Sequence, residues 1–446
     1  VMNLQRAAGA AARPDKSHIG AERFFLVLML LCIIQFTGVW IYPSSSFGGV
    51  ISLVMDKRFG VPFQYSVWAL VLLGVGMLVK ARGFAPLVEV LKPFLPFLLI
   101  GLVAGVFGYS PFLSMRLLVL WSVMACAAVA IGLALPQRRA LRTVLWISLG
   151  LLLVSAVYAL ALPSYGGQPY ASGTVWRGLF LNKNQLGWFA SLTLVLGVMC
   201  VRRVEGRLPL LVALLSAVCL VGSGSKGALV ASVLVIAYGY VLSRLRQVVT
   251  PGFGAAIVLF LAVLGGVVFA LSYAPVLELL GRDATLSGRT SIWAAFFNAM
   301  ADSPWLGQGP GSFSGLSPLT AALASRLDDL GAIVTPHSSY LAAFGDAGLF
   351  GLVAFVGMLV YLSLIEPLSR RTPLFLMSGT VCFLIAASGI AETHDVFTPG
   401  PGWFLLIMLR ALALKEGRET KEGAEPAQPA QPAPKARRYY QLPRYN

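Results

Sequence analysis

The 446 residues would suffice for about three soluble domains, yet 57% are hydrophobic and only 12% charged, where an ordinary globular domain carries about 25% charged residues. Lys and Arg number 34 against 18 acids, a formal net charge of +16. This composition excludes a string of soluble domains and predicts an all-α polytopic membrane protein, so the basic excess must belong to topology, anionic lipid or nucleic acid according to where it sits.

In chain order, apolar runs fall near 24–42, 64–79, 94–109, 113–135, 143–162, 185–201, 208–222, 227–243, 253–274, 338–365, 374–391 and 401–413. They predict about 12 transmembrane helices. The first is too long, and lacks the small-residue cleavage pattern, to be a removable signal peptide. With residues 1–23 placed in the cytoplasm, alternation puts 25 of the 34 basic residues on the cytoplasmic side, including those of a proline-rich tail over 415–446. The positive-inside rule therefore absorbs most of the excess, and nucleic-acid binding loses its motivation. Both termini are expected in the cytoplasm and the tail is expected to be disordered, its Pro426–Pro432 repeat being too polar and proline-rich to fold.

The nine remaining cations are Lys57, Arg58, Arg116, Arg177, Lys183, Lys226, Arg282, Arg289 and Arg326. All fall on the outer face or at the outer end of a helix. Two outer segments are long: a loop over 163–184, inside the span region 24–274, and a second over 275–337, before the spans of 338–414. In the second, Thr290–Met300 and Pro318–Leu330 have helical apolar spacing, while Gly307, Gly309, Pro310 and Gly311 mark a turn-rich break. A helical cap over the membrane is expected there, between spans 9 and 10.

The outer face offers two histidines, His337 and His394, as bases near neutral pH. In Thr335-Pro336-His337-Ser338-Ser339-Tyr340, a Thr cap and a Pro at the first helical position would put His337 in the first turn of the tenth helix. The positive end of a helix favours a neutral imidazole, able to accept a proton. Arg177 and Arg289 carry planar forks suited to two-point contact with diphosphate oxygens. Lys183, Arg282 and Lys226 are further candidates for the same anion site.

Carboxylates are weaker candidates. Asp328-Asp329 has no third metal ligand nearby in sequence. Asp346 is an intramembrane charge, placed between Gly345 and Gly348 for either function or helix contact. Glu392, His394 and Asp395 read as a proton relay or, more simply, a surface turn. The five cysteines lie in apolar runs with neither metal nor disulfide spacing, and no metal or other cofactor is expected.

The stretch from Gly288-Arg289 and Trp293 through Pro304-Trp305-Leu306-Gly307-Gln308-Gly309 to His337, Tyr340-Leu341, Gly345, Gly348 and Gly351 resembles the shared core of O-antigen ligases and O-antigen polymerases. Arg177-Gly178-Leu179-Phe180 with Asn184 and Leu186-Gly187, and Ser223-Gly224-Ser225-Lys226, resemble that superfamily's other recurrent segments. Ser338 departs from the pattern, since relatives often carry Asn after the histidine. The resemblance implies a GT-C-like glycosyltransferase of the Gram-negative inner membrane with its active site on the periplasmic face. It would transfer a glycan from undecaprenyl diphosphate to a hydroxyl of lipid A core, inverting and without a metal, in lipopolysaccharide biosynthesis. Arg177 and Arg289 would hold the diphosphate and His337 would deprotonate the acceptor. Alternatives are an O-antigen polymerase, a protein O-oligosaccharyltransferase and, from another class, a secondary transporter. Against the transporter, there is no convincing inverted repeat, and the polar candidates gather at one surface.

Overall fold

The computed structural model describes residues 16–39, 60–170, 173–258, 289–315, 317–324, 335–370, 372–390, 392–393 and 396–422, and only the backbone of 16–19, 60–61, 289–291, 324 and 420–422. The protein is a helical, multi-pass membrane protein. Among the described residues, seven stretches are long and apolar enough to cross a membrane: Gly20–Thr37, Pro62–Arg82, Ala85–Phe107, Pro111–Ala134, Gln137–Ala161, Lys226–Val248 and Ser339–Ser369. Leu208–Gly222 and Pro373–Ser388 are shorter apolar helices, and Lys183–Cys200 and Pro401–Glu422 are further helices on expected runs. Most of the ninth run, 253–274, lies outside the described residues. Large apolar side chains such as Leu72, Phe107, Phe112, Leu160 and Leu214 point outward; hydrocarbon, rather than water, is the solvent that accepts such a surface.

Helix Pro401–Glu422 forms the centre. From Gly402 to Leu414 every residue is buried, as befits a helix that is apolar nearly all round. Its Ala411 and the backbone at Met408 meet Gly132 of helix Pro111–Ala134, a helix whose Ala127, Ala128 and Ala130 are fully buried. Small residues let two backbones approach closely where helices pack by van der Waals contact. The central helix continues to Glu422, past the boundary expected at 415. Lys415 donates to Leu135 O at 3.1 Å and Arg418 pairs with Glu89, so its polar extension still has partners.

Three helix breaks follow from simple accounting of donors and acceptors. Pro93 has no N–H, so the Glu89 carbonyl lacks its ordinary partner. Arg410 supplies it, its Nη1 donating to Glu89 O at 2.9 Å and also to Val90 O, beside the tight turn Lys92–Phe94. Pro367 likewise orphans the Ser363 carbonyl, which accepts from Tyr238 Oη at 2.6 Å; the preceding Tyr361–Ile365 turn is widened to a π-helix.

The third break is at Gly348, with φ 66° inside helix Ser339–Val360. A side chain there would run into the Trp305 backbone, and only glycine takes this conformation at little cost. The break frees two carbonyls and two N–H groups, and the 304–309 segment takes all four. Gln308 N donates to Gly345 O at 2.8 Å and Gly309 N to Asp346 O at 2.9 Å, while Leu349 N and Phe350 N donate to Pro304 O and Trp305 O. The glycine-rich turn is thus dovetailed into a membrane helix.

Candidate active site

The 163–184 loop contains an antiparallel hairpin that the sequence reading took as loop. Strand Gly167–Tyr170 pairs with Gly173–Trp176, Gly167 opposite Trp176. The signal was present in Thr174-Val175-Trp176 after a Gly-containing turn, but four-residue strands are short for recognition. Where the hairpin ends, the N–H groups of Arg177 and Gly178 both donate to Gly166 O at 2.9 Å. Gly178 has φ 58° and lies against Ser155, where a side chain would collide.

This turn presents Arg177 half-buried. Its Nε donates to Tyr165 O at 2.8 Å, which leaves the two Nη groups without a partner among the described residues. Burial lowers its pKa from the ordinary value, and Tyr158 partly raises it; a guanidinium stays protonated regardless. Directly after Phe180 and Leu181, Asn182 caps helix Lys183–Cys200, its Oδ1 accepting from Gln185 N at 2.9 Å. Lys183 opens that helix with its N–H on Gln168 Oε1 at 2.9 Å and its Nζ 3.7 Å from the Tyr170 ring centroid. Lys183 is therefore engaged with the hairpin.

The recurrent segments of the sequence meet here. Trp176 packs on Gly222, Val175 on Gly224 and Ser225 on Gly187. Lys226, exposed, begins helix Lys226–Val248 directly after this turn.

From the Asn184 side chain the site crosses to the other half of the chain. Asn184 Nδ2 donates to Glu392 Oε1 at 3.3 Å, and Glu392 Oε2 lies 3.5 Å from His337 Nδ1. Sequence reasoning preferred a surface turn for Glu392; the structure places its carboxylate opposite the candidate base. Fifty-five residues separate His337 and Glu392 in sequence, so no local pattern could reveal the pair. His394 and Asp395 lie outside the described residues.

His337 itself departs from expectation. The helix starts at Ser339, with Ser338 extended as its cap, so His337 precedes the first turn. It has φ 49°, the one positive φ of a non-glycine among the described residues, a conformation costing about 1–2 kcal/mol. Anchors on both sides hold it there. Trp293 Nε1 donates to Pro336 O at 2.9 Å, Ser338 N to Thr393 Oγ1 at 3.1 Å and Ser339 N to Gly389 O at 2.7 Å. Ser338 Oγ adds a contact to Gly389 O at 3.3 Å, which gives this serine a structural role. Strain maintained by its surroundings is a mark of functional positions.

Arg289 begins helix Arg289–Met300, four residues before Trp293, so the backbone brings its position one helical turn from a residue that touches the His337 segment. Of the segment Pro318–Leu330, for which helical spacing is expected, the described part carries helix Pro318–Ala324. Arg282, Asp328 and Asp329 lie outside the described residues. No three His, Cys, Asp or Glu side chains converge on a metal site among the described residues.

Residues 211–356 match the family model described as O-antigen ligase. Over those residues the chain is similar to that family. The matched segment spans Ser223–Lys226, Arg289 and His337, while Arg177 precedes it. The chain is also 29% identical over 218 residues to the exopolysaccharide production protein ExoQ of Rhizobium meliloti (strain 1021), a match covering 46% of this chain and 49% of that protein. The aligned part thus spans about half the length of this relative. Both matches fall within the O-antigen ligase/polymerase superfamily of membrane glycosyltransferase-like proteins, as the sequence motifs implied.

Proposed function

We propose that the protein is an O-antigen ligase, transferring a glycan from undecaprenyl diphosphate to a sugar hydroxyl of lipid A core at the periplasmic face of the inner membrane. The observation that carries this reading is the strained His337 with the Glu392 carboxylate opposite its Nδ1, linked through Asn184 to the loop that presents Arg177. With Nδ1–H directed at Glu392, Nε2 keeps the lone pair that takes the acceptor's hydroxyl proton. The hydroxyl oxygen then attacks the anomeric carbon from the face opposite the diphosphate, and the bond to the diphosphate oxygen breaks with its electron pair. Arg177, together with Arg289, stabilises the charge developing on that leaving group. Lys183, Lys226 and Arg282 would add to the positive field, Lys183 through its place beside the hairpin. In this reading about 12 spans and a cap from 275–337 surround the site, both termini are cytoplasmic and arginines do the work a divalent metal does elsewhere.

The likeness to an exopolysaccharide production protein favours one second reading, a polymerase that uses the same donor and takes another lipid-linked glycan as acceptor. Purified protein in detergent with EDTA, given lipid-linked glycan and in parallel lipid A core, no added acceptor or an acceptor protein, separates these. Product formed only with lipid A core establishes the ligase. Longer glycans without added acceptor establish the polymerase, glycosylated protein establishes a protein transferase, and absence of transfer in every arm rejects glycosyl transfer.

A further inference from the structure

A second polar feature lies far from His337. The helical stretch Ser339–Ser369 has 31 residues, about 45 Å at the helical rise, and Arg370 follows its end. There a cavity of about 720 Å³ opens between this stretch and the broken helix Ala85–Phe107, with Lys92, Arg370 and Arg410 among its lining residues.

The charges around it do not cancel. Arg410, 2% exposed, is fully used: Nε and Nη2 pair with Glu366 at 2.8 Å each, and Nη1 serves the carbonyls of Glu89 and Val90. Glu89 is paired with Arg418. Arg370 reaches Glu366 at 3.7 Å with nearly half its side chain exposed and rests 5.3 Å from the Phe375 ring. Lys92 is exposed, with no ion pair among the described residues. Four cations thus face two carboxylates, Glu89 and Glu366, and the surplus sits on Lys92 and Arg370. These two come from different helices but line one cavity.

Glu89 also lines the cavity, its carboxylate taken up by Arg418, and the remaining wall is mainly apolar, including Pro96, Ala354 and Met358; the exposed faces above continue through Leu99, Val353 and Val356. A free anion has no use for that wall, whereas a phospholipid has acyl chains to lay on it. Basic pockets between membrane helices bind anionic headgroups on this principle. We propose that this cavity is a binding site for an anionic phospholipid of the leaflet opposite the candidate active site, its phosphate held by Lys92 and Arg370 and its chains lying along the Ala85–Phe107 and Ser339–Ser369 helices.

The test is native mass spectrometry of the full-length protein titrated with phosphatidylglycerol, phosphatidylcholine or free glycerol phosphate. Phosphatidylglycerol is expected to bind in preference to phosphatidylcholine. Lys92→Gln should weaken it about fivefold and Lys92→Gln with Arg370→Gln about 25-fold, with phosphatidylcholine binding unchanged. Equal binding of the two lipids, undiminished preference in the variants, or glycerol phosphate binding as tightly as phosphatidylglycerol would each overturn the proposal. Should the double variant fail to fold, Lys92→Gln, at an exposed side chain, decides alone.

Discussion

Asp346 and His337 stand nine residues apart, the one inside helix Ser339–Val360 and the other just before it. Their surroundings differ in kind. Asp346 is fully buried and caged: Gly311 N donates to Oδ2 at 2.9 Å, Phe313 N and Ser314 N donate to Oδ1 at 2.6 and 3.3 Å, and Ser314 Oγ also donates to Oδ2. His337 is 38% exposed in its side chain, backbone-strained and faced by one carboxylate. A polar group whose hydrogen-bonding capacity is consumed by its own chain is a fastener, and one held in place with capacity to spare can do chemistry. Intramembrane charge is by default a functional suspect, and here the accounting of partners assigns the suspect to architecture.

The contrast can be broken most directly at the fastener. Asp346→Ala leaves three backbone N–H groups without their acceptor, at about 1–3 kcal/mol each, and releases the turn dovetailed at Gly348. The expected outcome is a large fall in unfolding temperature, with loss of monodisperse protein on gel filtration. Native-like melting would show the cage to be dispensable. His337→Ala should do the reverse, lowering transfer about 10²- to 10⁴-fold while the melting temperature holds and donor still binds. Turnover at the normal rate would remove His337 as the base.

Arg177→Lys sharpens the assignment on the diphosphate side. A point charge does not replace a planar fork, and kcat/KM should fall about tenfold; full activity in this variant would remove Arg177 from the leaving-group site. A smaller effect is expected of Glu392→Gln, which keeps the shape and the contact to Asn184 but loses the charge opposite Nδ1. Its cost should fall on kcat with KM little changed, as for a positioning residue, and a change in KM alone would place Glu392 in substrate binding instead. The smallest effect belongs to chelation. EDTA should leave transfer unchanged, and a loss rescued by Mg²⁺ or Mn²⁺ would bring Asp328 and Asp329 back as ligands.

Much of the scaffold was legible because its physics is local. Apolar runs long enough to cross a bilayer mark helices wherever they occur, and each of the twelve runs is helical over its described residues, the ninth over 253–258 alone. Asn182, Pro93 and Pro367 act through groups within four residues of themselves. The helix after His337 starts three residues later than Thr335-Pro336 predicts, although that pair is a sound local start signal. The Gly389 carbonyl and the Thr393 hydroxyl draw Ser338 and Ser339 into a different register. The hairpin of Gly167–Trp176 was missed because its strands are short and its stability comes from packing Trp176 and Val175 on the Gly222–Gly224 turn.

By itself, the sequence determined a helical multi-pass membrane protein, the segments that match the O-antigen ligase family, and the set of arginines and the histidine from which a site could be made. Tertiary structure alone decided that Glu392 faces His337, that Asp346 is a clasp, and that Arg410 answers the Glu89 carbonyl orphaned by Pro93. The reason is the same in each case. Burial and hydrogen-bond partnership are properties of groups brought together across tens or hundreds of residues, and only packing sets which donors and acceptors meet and which remain free for a substrate.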